Sequence, residues 1–292
     1  MAHRRRPGFQ PTGGLRRKCT VVIKCEVKSI NILKGDNHMY NEIVEIGPVT
    51  IHGYGLMIGI GVLCALLVAT KRAKNNDLDA NIVYGLGIVA LVSGFIGAKL
   101  LYCIVEITSL LNNPMRILSG SGFVVYGGII GGILAVMIYC KLKRVSFLQY
   151  FDLTMPSVAL AQGFGRIGCF LAGCCYGSET DCAVGIVFHN SSFAPNGVKL
   201  IPTQLFSSAG SFLIAIVLIM YAKKGRNAGK VGALYLILYS IGRFIIEFFR
   251  NDYRGSLGVL STSQVISLII LAIGIVMFFL NKMTWINKER TI

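Results

Sequence analysis

Charge is scarce in this chain. Only 14% of its 292 residues are Asp, Glu, Lys or Arg, while 54% are hydrophobic and the mean hydropathy is +0.65. That balance excludes an ordinary soluble domain, in which about a quarter of residues are charged. Acidic residues are rarer still, 13 against 29 Lys and Arg, and histidine occurs only four times. Chemistry that needs clustered carboxylates or imidazoles therefore has few positions to draw on. Missing too are the many short strands of alternating polarity that a membrane β-barrel requires.

What fills the chain instead is a series of long apolar runs. Seven of them, near 51–69, 82–105, 119–140, 148–172, 203–222, 231–249 and 259–280, approach or exceed the length of about 20 helical residues that crosses a hydrocarbon core of about 30 Å. The expected fold class is an all-α polytopic membrane protein of about seven transmembrane helices, with a small outer-side loop region between the fourth and fifth. The 34 glycines fall mostly inside these runs, and some recur four apart: Gly55 and Gly59, Gly127 and Gly131, and Gly128 and Gly132. Such spacing lets helix backbones approach closely.

Basic residues in the loops give an orientation. The loops at 70–81, 141–147, 223–230 and 281–292 hold thirteen Lys or Arg, whereas the alternate loops hold Arg116, Lys199, Arg250 and Arg254. The positive-inside rule makes the first set and the C-terminus cytoplasmic and puts the start of the first span outside. Residues 1–38 run against this scheme, with nine Lys or Arg on the outer side and no apolar core of a secretory signal. Two readings account for them: translation that begins at Met39, or a basic tail at the membrane surface. The chain thus divides into a basic extension, 1–38, and a membrane domain, 39–292. Removing the nine cations with Glu26 and Asp36 lowers the formal charge from +16 to +9. Neither value argues for nucleic acid, because topology accounts for the remaining cations.

Polar residues inside the spans carry the functional signal. Tyr239, Arg243 and Glu247 follow one another at steps of four, which stacks them on one helix face. Arg or Glu near the centre of a span costs roughly 2.5–3.5 kcal/mol, so such residues pair and face a polar site. With the topology above, His52, Tyr54, Lys99, Tyr126, Arg166, Gln204, Arg243 and Glu247 all fall within about 10 Å of the outer face, at about 1.5 Å per residue. Their convergence points to a polar cavity open to the outer leaflet, holding an anionic headgroup against Arg166 and Arg243, whose planar forks suit phosphate. Several have plainer roles open to them: Lys99 snorkelling toward Glu106, Asp152 at the inner interface, Tyr54 and Tyr239 as interfacial aromatics, His52 as a helix cap. For Arg166 and Arg243 the plainer role is an ion pair that fixes packing.

Cys169, Cys174, Cys175 and Cys182 cluster where the fourth span ends. Their spacing matches no standard metal pattern. They read as small residues at a packed helix end, or as a disulfide from Cys182 to Cys174 or Cys175 on the oxidising side of the membrane. A nucleophilic role finds no base partner nearby. No metal or other cofactor is expected.

The run Gly165-Arg166-Ile167-Gly168-Cys169-Phe170-Leu171-Ala172-Gly173 resembles the signature of the prolipoprotein diacylglyceryl transferase family. So do His52-Gly53-Tyr54-Gly55, Tyr126-Gly127-Gly128, Pro202-Thr203-Gln204-Leu205-Phe206 and the segment from Tyr239 through Arg243 and Glu247 to Arg250, in the family's order over roughly residues 45–280. The resemblance implies a seven-span enzyme of the bacterial cytoplasmic membrane. Such an enzyme moves a diacylglyceryl group from phosphatidylglycerol to the lipobox cysteine of a preprolipoprotein, forming a thioether and releasing glycerol phosphate. It further implies Arg243, Tyr239, Glu247, Tyr126 and His52 as the catalytic set and Arg166, Tyr54, Gln204 and Gly173 as substrate-binding. Three positions depart from the pattern: Tyr126 and Ile201 stand where many members have histidine, and Cys169 where they have asparagine. With a pKa near 10, a tyrosine at position 126 is a poor base at neutral pH. It either titrates low beside cations or only hydrogen-bonds, leaving His52, Tyr239 or Glu247 to help activate the thiol.

Two other classes fit the same cavity. A lipid-binding or transport protein would use it without chemistry, but no motif repeats between the halves as inverted repeats would. A degenerate relative kept as a scaffold would be expected to lose its arginines, and both are present.

Overall fold

The computed structural model describes residues 42–46, 49–107, 122–189, 191, 193–224, 227–251, 256–257 and 260–280. The basic segment 1–38 and Met39 lie outside the described residues. Each expected span has its helix: α1 (Gly53–Lys74), α2 (Ala80–Val105), α3 (Val125–Leu142), α4 (Phe147–Leu171), α5 (Thr203–Ala222), α6 (Lys230–Glu247) and α7 (Thr262–Leu280). Among the described residues three two-stranded antiparallel pairs punctuate them: β1 (Glu42–Ile46) with β2 (Val49–His52), β3 (Ile186–Val187) with β4 (Lys199–Leu200), and β5 (Ser256–Leu257) with β6 (Leu260–Ser261).

Among the described residues five helices, α1, α2, α3, α5 and α7, are long and apolar enough to cross a membrane. The chain is an α-helical membrane protein. The other two fall short because polar and charged residues dilute them: Gln149, Asp152, Gln162 and Arg166 in α4, and Lys230, Arg243 and Glu247 in α6. Boundaries moved at α3, which starts at Val125 after Gly122 in a left-handed turn, and at α7, which starts at Thr262 because Leu260 and Ser261 form β6 instead.

Burial is inverted relative to a water-soluble protein. Leu63, Leu67, Phe95, Ile104, Leu213 and Phe279 are all more than 60% exposed, whereas Ser208, Ser240, Ser263, Gln264 and Ser267 are buried. In a hydrocarbon solvent apolar side chains gain nothing by hiding, and polar groups must be satisfied inside. Thus Ser208 Oγ on α5 donates to the Gly163 carbonyl of α4 at 2.8 Å.

The helices pair as α1 with α4, α2 with α3, α4 with α5, and α6 with α7, and α4 also touches α6, so that α4 lies at the centre. Glycine makes the α2–α3 contact, since a Cβ at Gly127 would sit 2.4 Å from the Gly97 carbonyl oxygen. Gly55 and Gly59 behave otherwise: a Cβ at either meets nothing within 4 Å, so close packing is not their role in the monomer. Asp152, expected at an interface, ties two helices together. Its carboxylate accepts from the backbone N–H groups of Gly229 and Gly232 at 2.7 Å each, capping α6 from α4, and the Arg72 guanidinium beside it donates to the Leu153 carbonyl. An anion at a helix N-terminus satisfies donors that have no partner within the helix.

Candidate active site

The stacked face of α6 forms as its spacing requires. Arg243 Nη1 lies 2.8 Å from Glu247 Oε2, with both side chains about one-tenth exposed. Arg250 Nε stands 4.0 Å from the same carboxylate oxygen. The remaining partners come from α7. Ser261 caps that helix: its Oγ accepts from Gln264 N–H while Gln264 Oε1 accepts from Ser261 N–H, a capping box. Ser261 Oγ also donates to Glu247 Oε1 at 3.0 Å, and Arg243 Nη2 donates to Ser263 Oγ at 3.0 Å. Ser261 and Ser263 were not singled out in the sequence, although the Ser-x-x-Gln spacing of the capping box is visible there. One turn before Arg243 the Tyr239 ring stacks on Tyr235, centroids 5.7 Å apart, and Tyr235 donates to Gln162 Oε1 of α4.

Arg166 comes from the last turns of α4 and is half-buried, within electrostatic reach of Arg243. Among the described residues no carboxylate pairs with it. Arg243 and Arg250 thus share the Glu247 carboxylate while Arg166 stands near Arg243 without one, an arrangement with surplus positive charge in a poorly solvated setting.

Beyond Arg166 the chain reverses. Gly173, at φ 71°, sends its N–H to the Phe170 carbonyl, and Cys174 N–H reaches the Cys169 carbonyl at 3.1 Å. This is the double bond of a Schellman turn, and the left-handed position needs glycine. The turn brings Cys174 and Cys175 back against Cys169. No described cysteine is in a disulfide, so of the two readings of the cluster the link from Cys182 to Cys174 or Cys175 is not formed. Hydrogen bonding to Cys169 and Cys175, with burial, holds the Cys174 thiol far above the ordinary thiol range, which makes it a poor nucleophile.

Gln204 and Thr203, at the start of α5, are each 1% exposed and grip this turn. Gln204 Nε2 donates to the Cys174 carbonyl and Thr203 Oγ1 to the Cys175 carbonyl, both at 2.8 Å. Gln204 is thus engaged with the turn. From the first turn of α1 the Tyr54 ring packs on Gly168, where a Cβ would lie 3.2 Å from Tyr54 Cδ2, and it stands within electrostatic reach of Arg166 and the three cysteines. His52 precedes α1 with its side chain exposed and makes no cap hydrogen bond. Tyr126, on the first turn of α3, is 42% exposed, and no hydrogen bond joins it to Arg166 or Arg243 among the described residues. Lys99 Nζ sits over the rings of Tyr102 and Phe123 at 5.2 and 4.9 Å, a cation–π anchor.

The loop between α4 and α5 closes over this region with a small core of Phe188, Ala194 and Leu200, against which Phe170 and Tyr176 pack. Gly177 N–H donates to the Ile201 carbonyl and Ser178 N–H to the Phe249 carbonyl, which fastens the loop to the end of α6.

An α-helical membrane protein with paired arginines at converging helix ends is the class that fold and site define. Within that class the chain belongs to the prolipoprotein diacylglyceryl transferase family, whose model matches residues 41–280. It is 47% identical over 241 residues to the phosphatidylglycerol–prolipoprotein diacylglyceryl transferase of Clostridium tetani, covering 82% of this chain and 97% of that one. The second such transferase of Clostridium perfringens is 47% identical over 242 residues, covering 82% and 94%. That of Clostridioides difficile is 38% identical over 218 residues, covering 74% and 85%.

Proposed function

We propose that the protein transfers a diacylglyceryl group from phosphatidylglycerol to the lipobox cysteine of preprolipoproteins, with a thioether formed and glycerol phosphate released. The observation that carries this reading is Arg166, paired with no carboxylate among the described residues, within electrostatic reach of Arg243, whose own carboxylate partner Glu247 also faces Arg250. A phosphodiester becoming a phosphate monoester gains negative charge on its oxygens, and fixed guanidiniums in a water-poor site stabilise that gain. Glu247, with Ser261 and Ser263, holds Arg243 in one orientation. Arg166 binds the phosphate, while Tyr54, Gly173 and Gln204 shape the site beside it. His52, Tyr126 and Tyr239 position the substrates.

The membrane domain is 39–292, with α4 and α6 completing a seven-span arrangement. The arginine ends face the outer leaflet of the bacterial cytoplasmic membrane, and the C-terminus is cytoplasmic. Support comes from the alternation of basic loops and from the family match over 41–280. The test is incubation of purified protein with phosphatidylglycerol and a lipobox peptide, followed by mass measurement of the peptide. A gain of one diacylglyceryl group on the cysteine peptide and none on a serine counterpart is expected. An unmodified cysteine peptide would reject the reading in favour of a lipid-binding protein.

A further inference from the structure

Three sulfur atoms meet where α4 ends. The Sγ atoms of Cys169, Cys174 and Cys175 all lie within 4.8 Å of one another, each residue half-buried. The site is built rather than incidental. Gly173 and Cys175 both hold left-handed backbone, at φ 71° and 64°, a conformation that disfavours a side-chain-bearing residue. It is kept by the buried bonds from Thr203 and Gln204 to the two cysteine carbonyls. Packing of small residues at a helix end asks for none of this.

We propose that Cys169, Cys174 and Cys175 bind a thiophilic divalent cation of the zinc class, and that its fourth coordination position receives the acceptor cysteine of the lipobox. The inference rests on the transfer reaction proposed above. Zinc–thiolate bonds of about 2.3 Å place the sulfurs of a tetrahedral shell about 3.8 Å apart, so the cluster needs only to contract slightly. Among the described residues no histidine, carboxylate or fourth cysteine joins the group. Three protein ligands with one open position mark a reactive zinc site, whereas four mark a structural one. Arg166 lies three residues before Cys169 on α4, so the two share a helix face. The acceptor sulfur is thereby brought beside the guanidinium assigned to the phosphate. Three thiolates and a divalent cation sum to one negative charge, two with the acceptor bound, which Arg166 partly offsets.

The chemistry balances without redox change. Coordination takes the acceptor sulfur as thiolate, and its proton passes to water. The sulfur lone pair then forms the bond to the glyceryl carbon, while the carbon–oxygen bond to phosphate breaks and its electron pair leaves on glycerol phosphate. The metal thus supplies the thiol activation for which Tyr126, a phenol, is ill suited at neutral pH.

The test uses the full chain, purified in detergent under reducing conditions, with zinc or Co2+ added alone. One equivalent of metal per chain is expected by elemental mass spectrometry. Co2+ should give a thiolate-to-cobalt charge-transfer band that is absent from Cys169→Ser and Cys174→Ser. A lipobox peptide should shift the cobalt spectrum, and its serine counterpart should not. Chelator-stripped wild type, a comparison that needs no variant to fold, should transfer at least tenfold more slowly and recover with zinc. Metal at background level, a spectrum indifferent to the cysteine peptide, a native mass two hydrogens short from a disulfide, or full activity after stripping would each overturn the proposal. A protein whose cobalt spectrum answers the peptide but which transfers no lipid sinks the transferase reading and leaves the site standing.

Discussion

At the scale of single residues, the arginines make the sharpest demands. Replacing Arg166 with Ala removes a charge-assisted contact to the phosphate, so transfer should fall at least about 100-fold, the loss typical of one transition-state donor. The variant should still accumulate in the membrane, and near-normal peptide modification would reject the assignment. Arg243→Lys should remain poor, because an ammonium cannot span Glu247 and Ser263 while offering a fork to phosphate. Glu247→Gln should cost less than Arg243→Ala, since it loosens the guanidinium without deleting it. A fully active Arg243→Lys enzyme would count against two-pronged binding. Tyr126→Phe should keep appreciable activity at all pH, because lowering a tyrosine pKa by roughly three units takes about 4 kcal/mol of favourable interaction with the ionised form. A pH–rate comparison of wild type and Tyr126→Phe on one peptide decides this; total loss in a folded variant makes the phenol a chemical participant.

These residues also show what the sequence makes legible. Arg243 and Glu247 could be paired on paper because a helix fixes the distance between residues four apart. Their partners Ser261 and Ser263 could not, since another helix supplies them and periodicity carries no information across a helix–helix contact. The cysteines were visible as a group but not as a cluster, because their approach depends on a Schellman turn at Gly173. Gln204 was legible as a polar residue at a span start; that it grips a carbonyl was not.

At the scale of elements, helix existence and order were readable from apolar length, and the connections between helices were not. Asp152 illustrates the gap. Its depth placed it at an interface, yet its structural consequence lies in two backbone N–H groups 77 and 80 residues further along the chain. Asp152→Ala should lower stability by about 1–2 kcal/mol, as for a lost N-cap, seen as a lower unfolding midpoint in detergent. Asp152→Asn should fall between, keeping one acceptor oxygen. An unchanged midpoint in Asp152→Ala would mean that water replaces the carboxylate at the start of α6.

For the molecule as a whole, the polar composition of α4 and α6 has a bearing on biogenesis. The two helices that carry Arg166, Arg243 and Glu247 are the two that lack the apolarity to cross a membrane on composition alone. Each packs against the strongly apolar helix that follows it in the chain, α5 for α4 and α7 for α6, across the connections 172–202 and 248–261. In the seven-span arrangement, the translocon should therefore release α4–α5 and α6–α7 into lipid as hairpins rather than as successive single helices. In a glycosylation-mapping assay, isolated α4 should partition poorly and the α4–α5 pair well; efficient insertion of α4 alone would contradict this. The side chains reserved for substrate make their own helices dependent passengers, and a substitution on the lipid-facing side of α5 or α7 could then abolish activity without touching the site, by stranding its neighbour outside the bilayer.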